Sequence, residues 1–206
     1  MKRRAMMGKE QYKPDANTLL LLHGEDFNDS SMYVRSISNS GVTINKTGKF
    51  GKCFKFISDN YITTSITISK ANTFTIDAWV KVSSISSIQT FFATGTREEG
   101  LQVRADGANL EILKENALIL GIATNVINPG NWFHLAITNT SNIKAYINGI
   151  KVIECRSDFL TYSTLAIGIR GELNGEYLQN GYIDEFRVSD IARWTSNFTP
   201  PTKPYV

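Results

Sequence analysis

The sequence predicts an all-β fold, a two-sheet antiparallel β-sandwich of jelly-roll type, and three observations carry that expectation. Short stretches rich in Ile, Val, Thr, Phe and Tyr recur at intervals of roughly ten residues, and clusters of Gly, Asn, Asp and Ser separate them. No apolar period of the helical kind survives beyond a turn or two. A 206-residue chain with 42% hydrophobic and 20% charged residues can also bury a core large enough to need no metal or disulfide staple.

The clearest strand spans residues 73–82. Phe74, Ile76, Ala78, Val80 and Val82 alternate with Thr75, Asp77, Trp79 and Lys81, so one face is core and the other mixed. Residues 131–139 repeat the pattern with Phe133, Leu135 and Ile137. Further strands are expected at 18–22, 42–45, 53–57, 61–68, 88–93, 101–105, 110–113, 118–123, 143–147, 151–155, 165–169 and 182–188. Asn148-Gly149 supplies two residues that accept positive φ, which fixes a tight hairpin between 143–147 and 151–155. Residues 189–194 are expected to form one short helical turn before Pro200, Pro201 and Pro204 end regular structure.

Charge excludes some function classes. Net charge is +3, but Lys2, Arg3, Arg4, Lys9 and Lys13 against Glu10 place +4 in residues 1–13, and the remainder sums to −1. A nucleic-acid-binding domain needs its basic patch on the fold, so no nucleic-acid partner is expected. Residues 1–16 read as a basic arm and 17–206 as the folded domain. The longest unbroken apolar run, Leu19 to Leu22, is far below the ~20 residues that span a bilayer, so no membrane insertion is expected. The opening residues lack the apolar stretch of a secretory signal, so synthesis in the cytoplasm is expected. Cys53 and Cys155 form neither a C-x-x-C pair nor a His-flanked site, which excludes a thiolate zinc centre and leaves their pairing open. Four Asn-x-Ser/Thr sequons, at Asn28, Asn45, Asn139 and Asn197, read as chance without an export signal.

Five segments in order carry a resemblance. They are LLLLHGEDFNDSS (19–31), FGKCFKF (50–56), NTFTIDAWVKV (72–82), GNWFHLAITNTSNIKAYINGIKV (130–152) and GYIDEFRVSDIARWTSNFTPPTKPY (181–205). Together they resemble the concanavalin A-like, laminin-G-like jelly-roll family, from about residue 17 to the C-terminus. The opening segment is similar to that of members found on phage and prophage virion proteins. The fold hosts lectins, adhesion domains, glycosidases and packing modules, so function must be argued from the site. The resemblance implies that Trp79, Trp132 and His134 belong to the family's structural signature, with sugar stacking on the non-core face as the alternative.

The β-glucanases of this fold place two carboxyl groups about 5 Å apart on one strand face. This chain lacks their E-x-D-x-x-E pattern. Asp184-Glu185 and Glu98-Glu99 are direct neighbours, which in a regular strand point to opposite faces. With His23 and His134 the only histidines, a Ser-His-Asp triad has little material, and no catalytic residue is assigned.

Residues 25–31 concentrate oxygen ligands of the kind Ca²⁺ prefers, and Asp26, Asn28 and Ser30 mimic the start of an EF-hand loop. The match ends there, because Ser31 and Ile37 stand where Gly and Glu are needed. Relatives of the family hold Ca²⁺ in their loops, and the resemblance makes Asp29 with Asp184 the candidate pair for a structural Ca²⁺. The other reading is a turn in which Asp, Asn and Ser side chains bond their own backbone.

Sandwiches of this kind bind through loops at one end of rigid sheets. The first candidate is the long polar segment 170–180 with Arg170, Asn174 and Tyr177. The second is 94–100 with Arg97, and the third surrounds Asp59, Asn60 and Tyr61. The expected function is non-catalytic carbohydrate recognition, as part of a phage or prophage particle that binds a bacterial surface glycan and reaches the medium on lysis. The alternative is a virion decoration or assembly domain that contacts other virion proteins, a homo-oligomer is compatible with either, and a glycoside hydrolase of the same fold is the third reading.

Overall fold

The computed structural model describes residues 14–95, 99–114 and 118–205. Among these the chain forms strands and no helix. They are β1 (Thr18–Leu22), β2 (Ile37–Ser40), β3 (Thr43–Asn45), β4 (Cys53–Phe56), β5 (Tyr61–Ile68), β6 (Phe74–Val82), β7 (Gln89–Thr94) and β8 (Leu101–Asp106). Then follow β9 (Asn109–Lys114), β10 (Leu118–Ala123), β11 (Phe133–Asn139), β12 (Asn142–Ile147), β13 (Ile150–Arg156), β14 (Tyr162–Ile167) and β15 (Gly181–Ser189). None of these residues belongs to a helix long and apolar enough to cross a membrane.

The strands build two antiparallel sheets. One is eight-stranded, in the order β13-β12-β11-β6-β15-β4-β3 with β1 also paired to β15; the other is seven-stranded, in the order β10-β9-β8-β7-β14-β5-β2. Alternation fixes which side chains face inward: Phe54 and Phe56, Ile76 and Val80, Leu135 and Ile137, and Phe186 and Val188 come from the first sheet, and Val103, Ile112 and Leu165 from the second, where a register shift between Thr90 and Phe92 also brings both Phe91 and Phe92 into the core. Edge-to-face ring pairs join the layers, Phe91 to Phe133 at 5.9 Å and Phe92 to Phe186 at 6.1 Å.

One strand changes neighbours part-way. The first residues of β15 pair with β4, up to Ile183, and those from Phe186 onward pair with β1. The register with β6 shifts between Asp184 and Arg187, and Glu185 sits at φ 54°. An extra residue in one strand of an antiparallel pair makes a bulge. Here it lets both Ile183 and Phe186 reach the core, so Asp184 and Glu185 are displaced together onto the outer face. The expectation that these neighbours point to opposite faces is thereby overturned.

Strand β6 also departs from expectation, since both faces are buried except at Lys81. The reason is tertiary: residues 190–205 run back over the outer face of the eight-stranded sheet. Trp194 stacks on Phe198 at 4.0 Å and 8°, and both rings meet the edge of His134. No helical turn forms at 189–194, because the segment is bonded across the sheet instead: Thr75 Oγ1 donates to the Ile191 carbonyl and accepts from the Arg193 amide. Asp15, assigned to the arm by sequence, is held to Arg193 at 2.7 Å and belongs to the fold.

The remaining differences are small. β2 carries the polar sequence Ile-Ser-Asn-Ser and gives no apolar signal, yet it completes an edge beside β5. The hairpin at Asn148-Gly149 forms as expected, with φ of 51° and 78°. Cys53 and Cys155 are both free, and burial pushes each thiol up to about 11, which makes them inert at neutral pH.

Candidate functional site

The segment between β14 and β15 is a compact hairpin rather than an open loop. The Leu178 amide bonds the Gly168 carbonyl at 2.8 Å, the Arg170 amide bonds the Glu176 carbonyl at 3.1 Å, and Ile169 bridges Tyr177. Gly168, Leu173, Gly175 and Asn180 all have positive φ, and these residues make the reversals. Leu178 is fully buried in the core, and the Gln179 amide donates to Gln89 Oε1 at 2.8 Å. The tip, Leu173, Asn174 and Gly175, is left exposed.

Glu176 locks this hairpin onto the outer face of the seven-stranded sheet. Its carboxylate accepts from Arg104 Nη1 at 2.9 Å and from Gln102 Nε2 at 2.6 Å, while Arg104 Nε donates to Glu111 at 2.9 Å and Gln102 also donates to Thr90. Burial alone would lower the Arg104 pKa, but Glu176 and Glu111 outweigh it and raise the pKa above the ordinary value. A guanidinium between two carboxylates is a charge-matched clamp, and it fixes the hairpin to the sheet. Sequence reasoning missed this clamp, although a signal existed: Gln102 and Arg104 alternate with Leu101, Val103 and Ala105 in β8, which marks a polar outer face.

The expected binding residues divide. Arg170, Asn174 and Tyr177 lie together in the hairpin, but Arg170 is half-buried in an ion pair with Glu172 at 2.9 Å, and Tyr177 is half-buried at the Ile169 bridge. Asn174 is exposed. Ile167, the last residue of β14, pairs with Ile62, so Asn60 and Tyr61 stand at the same end of the sheet as the hairpin. Asn60 is committed to the turn, donating its side-chain amide to the Gly41 carbonyl, whereas Tyr61 is partly open. Arg97 lies outside the described residues; Thr94 and Leu101 on either side of it are at the far end of β7 and β8 from Gln89.

The Asp29 and Asp184 carboxylates are not brought to a common site. Asp29 accepts from the amides of Leu21, Ser31 and Arg35 and from Ser31 Oγ, all at 2.8–3.0 Å, and so serves as the organiser of the 29–35 turn. Asp184 Oδ2 accepts from the amides of Lys49 and Phe50. Among the described residues no group of three or more His, Cys, Asp or Glu side chains is placed to hold a metal. The turn reading of this loop accounts for the four hydrogen bonds that Asp29 accepts.

Under the C-terminal tail lies a sealed polar cluster. Asp77 is bound by Arg187 Nε at 3.0 Å, by His134 Nε2 at 3.3 Å and by the Tyr205 hydroxyl. Burial alone would raise its pKa, but Arg187, with His134 and Tyr205, prevails and pulls it down to about 2. Next to it Glu185 accepts from the Tyr205 amide at 2.7 Å and pairs with His23 at 2.9 Å. Burial, helped by the Glu185 charge, lifts Asp184 to about 7 against the lowering pull of the Phe50 and Lys49 amides. Asp77, His134, Asp184, Glu185 and Arg187 are all at most 2% exposed, and this constellation of acid, imidazole and guanidinium joins the tail to the sheet. Trp79 and His134 are therefore structural.

A laminin-G family model, described as the concanavalin A-like lectin/glucanase superfamily, matches residues 56–196. The chain belongs to the concanavalin A-like lectin/glucanase superfamily. Among solved structures, this superfamily member is similar to the receptor-binding domain of botulinum neurotoxin D, with TM-score 0.69, 18% identity, and coverage of 86% of this chain and 50% of that one. The serotype G binding domain matches with TM-score 0.63, 19% identity, and coverage of 85% and 48%. The serotype D ligand-binding domain in complex with N-acetylneuraminic acid matches with TM-score 0.68, 18% identity, and coverage of 86% and 48%. The chain thus spans about half the length of these domains, and at this identity the likeness shows the concanavalin A-like fold. No curated protein matches the chain in sequence.

Proposed function

We propose that this chain is a non-catalytic carbohydrate-recognition module, carried on a phage or prophage particle and directed at a bacterial surface glycan. The observation that carries the reading is the 168–180 hairpin. It is clamped by Glu176, anchored by Leu178, and presents Leu173 and Asn174 at the same sheet end as Tyr61. A preorganised exposed tip loses little entropy when it binds. The similarity to toxin receptor-binding domains, one of them in complex with a sugar, supports the same direction. Single contacts of this size are weak, and many copies on one particle raise the avidity. Multivalent display of the purified chain on a bacterial glycan array tests the proposal. Selective binding lost on Asn174→Ala with Tyr61→Ala is the expected result, and no binding to any glycan sinks it.

One observation favours a second reading, a virion decoration or assembly domain. Strand β10 is an edge with no charged residue, and Leu118, Ile119 and Ile122 on it are 55%, 46% and 47% exposed. An uncharged apolar edge is a template for pairing with another chain. Ile122→Lys would then block incorporation into particles, whereas a pure lectin would incorporate and bind normally.

A further inference from the structure

The tail leaves one row of the eight-stranded sheet's outer face uncovered. In it stand Trp132, Lys81, Tyr182 and Lys55. Lys81 is in register with Tyr182, Tyr182 with Lys55, and Trp132 precedes Phe133, which is in register with Val80. Residues directly opposite in antiparallel strands share a face. The alternate residues Val80, Val82, Phe54, Phe56 and Ile183 face the core, so this row faces outward. Each of its four members is partly exposed. Lys81 Nζ lies 5.3 Å from the Trp132 ring centroid and 4.5 Å from that of Tyr182, and the two rings are 6.4 Å apart.

In this row unpaired cations and accessible rings coincide. Arg104, Arg187 and Arg193 are each matched by a carboxylate. Among the described residues the lysines in ion pairs are Lys52, Lys70, Lys114 and Lys151, and neither Lys81 nor Lys55 is one of them. The next outward carboxyl group along β15, Asp184, is wholly buried and bonded to the amides of Lys49 and Phe50, so it does not reach out to neutralise them. The result is two uncompensated ammonium groups among two accessible aromatic rings. Lys81 and Lys55 sit two strands apart, roughly 10 Å at the backbone. That is wider than a single sugar ring.

We propose that Trp132, Lys81, Tyr182 and Lys55 form a second saccharide subsite, selective for a linear glycan of carboxylate-bearing sugars. The sugar faces stack on Trp132 and Tyr182, and carboxylates on the chain pair with Lys81 and Lys55. The inference rests on the saccharide-binding reading above and adds to it the charge class of the ligand.

Calorimetric titration with tetragalacturonate, and with its neutral methyl ester, tests it on the full chain. The expected result is binding of the acid and not of the ester, weakened by salt. Lys81→Gln, Lys55→Gln and Trp132→Ala should each weaken it by roughly five- to tenfold while leaving the melting temperature unchanged, since all three side chains are partly exposed. Equal binding of acid and ester, or variants that bind like the parent, overturns the subsite. So does failure to bind tetragalacturonate by a chain that binds another glycan through Asn174 and Tyr61, and in that case the recognition reading stands. A chain that binds no saccharide on the array overturns both.

Discussion

Asp77 is the residue on which the buried cluster depends. Its carboxylate is 1% exposed and is the counter-charge for Arg187, which is 2% exposed, while also accepting from His134 and Tyr205. Asp77→Asn keeps the volume but removes the charge, leaving a guanidinium buried without compensation. Breaking one partner of a buried pair costs about 3–5 kcal/mol. For a chain of this length each kcal/mol corresponds to roughly 2–4 °C, so the melting temperature should fall by about 6–20 °C. Urea denaturation, with the slope compared between variants, gives the free energy and shows whether two-state unfolding persists. The same argument predicts that adding Arg187→Met to Asp77→Asn restores much of the loss, because removing both charges leaves nothing uncompensated. A loss below about 1 kcal/mol for Asp77→Asn, or a double variant as unstable as the sum of the singles, would refute the account of this cluster.

The pH profile of stability should be dome-shaped. Asp77 is held down at about 2, so its contribution is present above the ordinary carboxylate range and is lost as pH falls through that value. Asp184 is lifted to about 7, so its contribution is present in acid and is lost as pH rises through neutrality, and His23, raised by Glu185, acts in the same direction. Chemical denaturation should therefore show a maximum near pH 4, followed by a decline of about 4 kcal/mol between about pH 4 and 7 that Asp184→Asn removes; a variant that keeps this decline contradicts the assignment. Asp29→Ala removes the acceptor of four hydrogen bonds and should cost about 2–4 kcal/mol, and Ca²⁺ should not shift the parent's melting temperature. A Ca²⁺-dependent rise abolished by Asp29→Ala would restore the metal reading. Gly149→Ala should destabilise by more than about 1 kcal/mol, because φ is 78° and the added carbon would strike the Phe198 carbonyl, so an unchanged melting temperature would show that the tail does not lie there.

Local alternation made the fold legible. The period of two along β6 and β11, and the Asn148-Gly149 turn, are properties of neighbouring residues and can be read without knowing what packs above them. The polar strand β2 escaped because an edge strand needs no apolar signature, only a neighbour with free amides and carbonyls. The site was legible in part for the same reason. The 168–180 hairpin announced itself by its turn residues, but whether Arg170 was free or paired depended on Glu172, and what held the hairpin down depended on Arg104, far away in the chain.

Sequence alone therefore established a β-sandwich and its family resemblance, and showed that the E-x-D-x-x-E pattern is missing. Tertiary structure decided the rest: that Asp184 and Glu185 share a face through a bulge, that Asp29 is consumed by its own turn, that residues 190–205 seal Asp77 and His134, and that Lys81 and Lys55 stay uncovered between Trp132 and Tyr182. The division has a physical cause. Strand formation is set by side chains two positions apart, whereas exposure, pairing and pKa are set by whichever distant segment comes to lie against them.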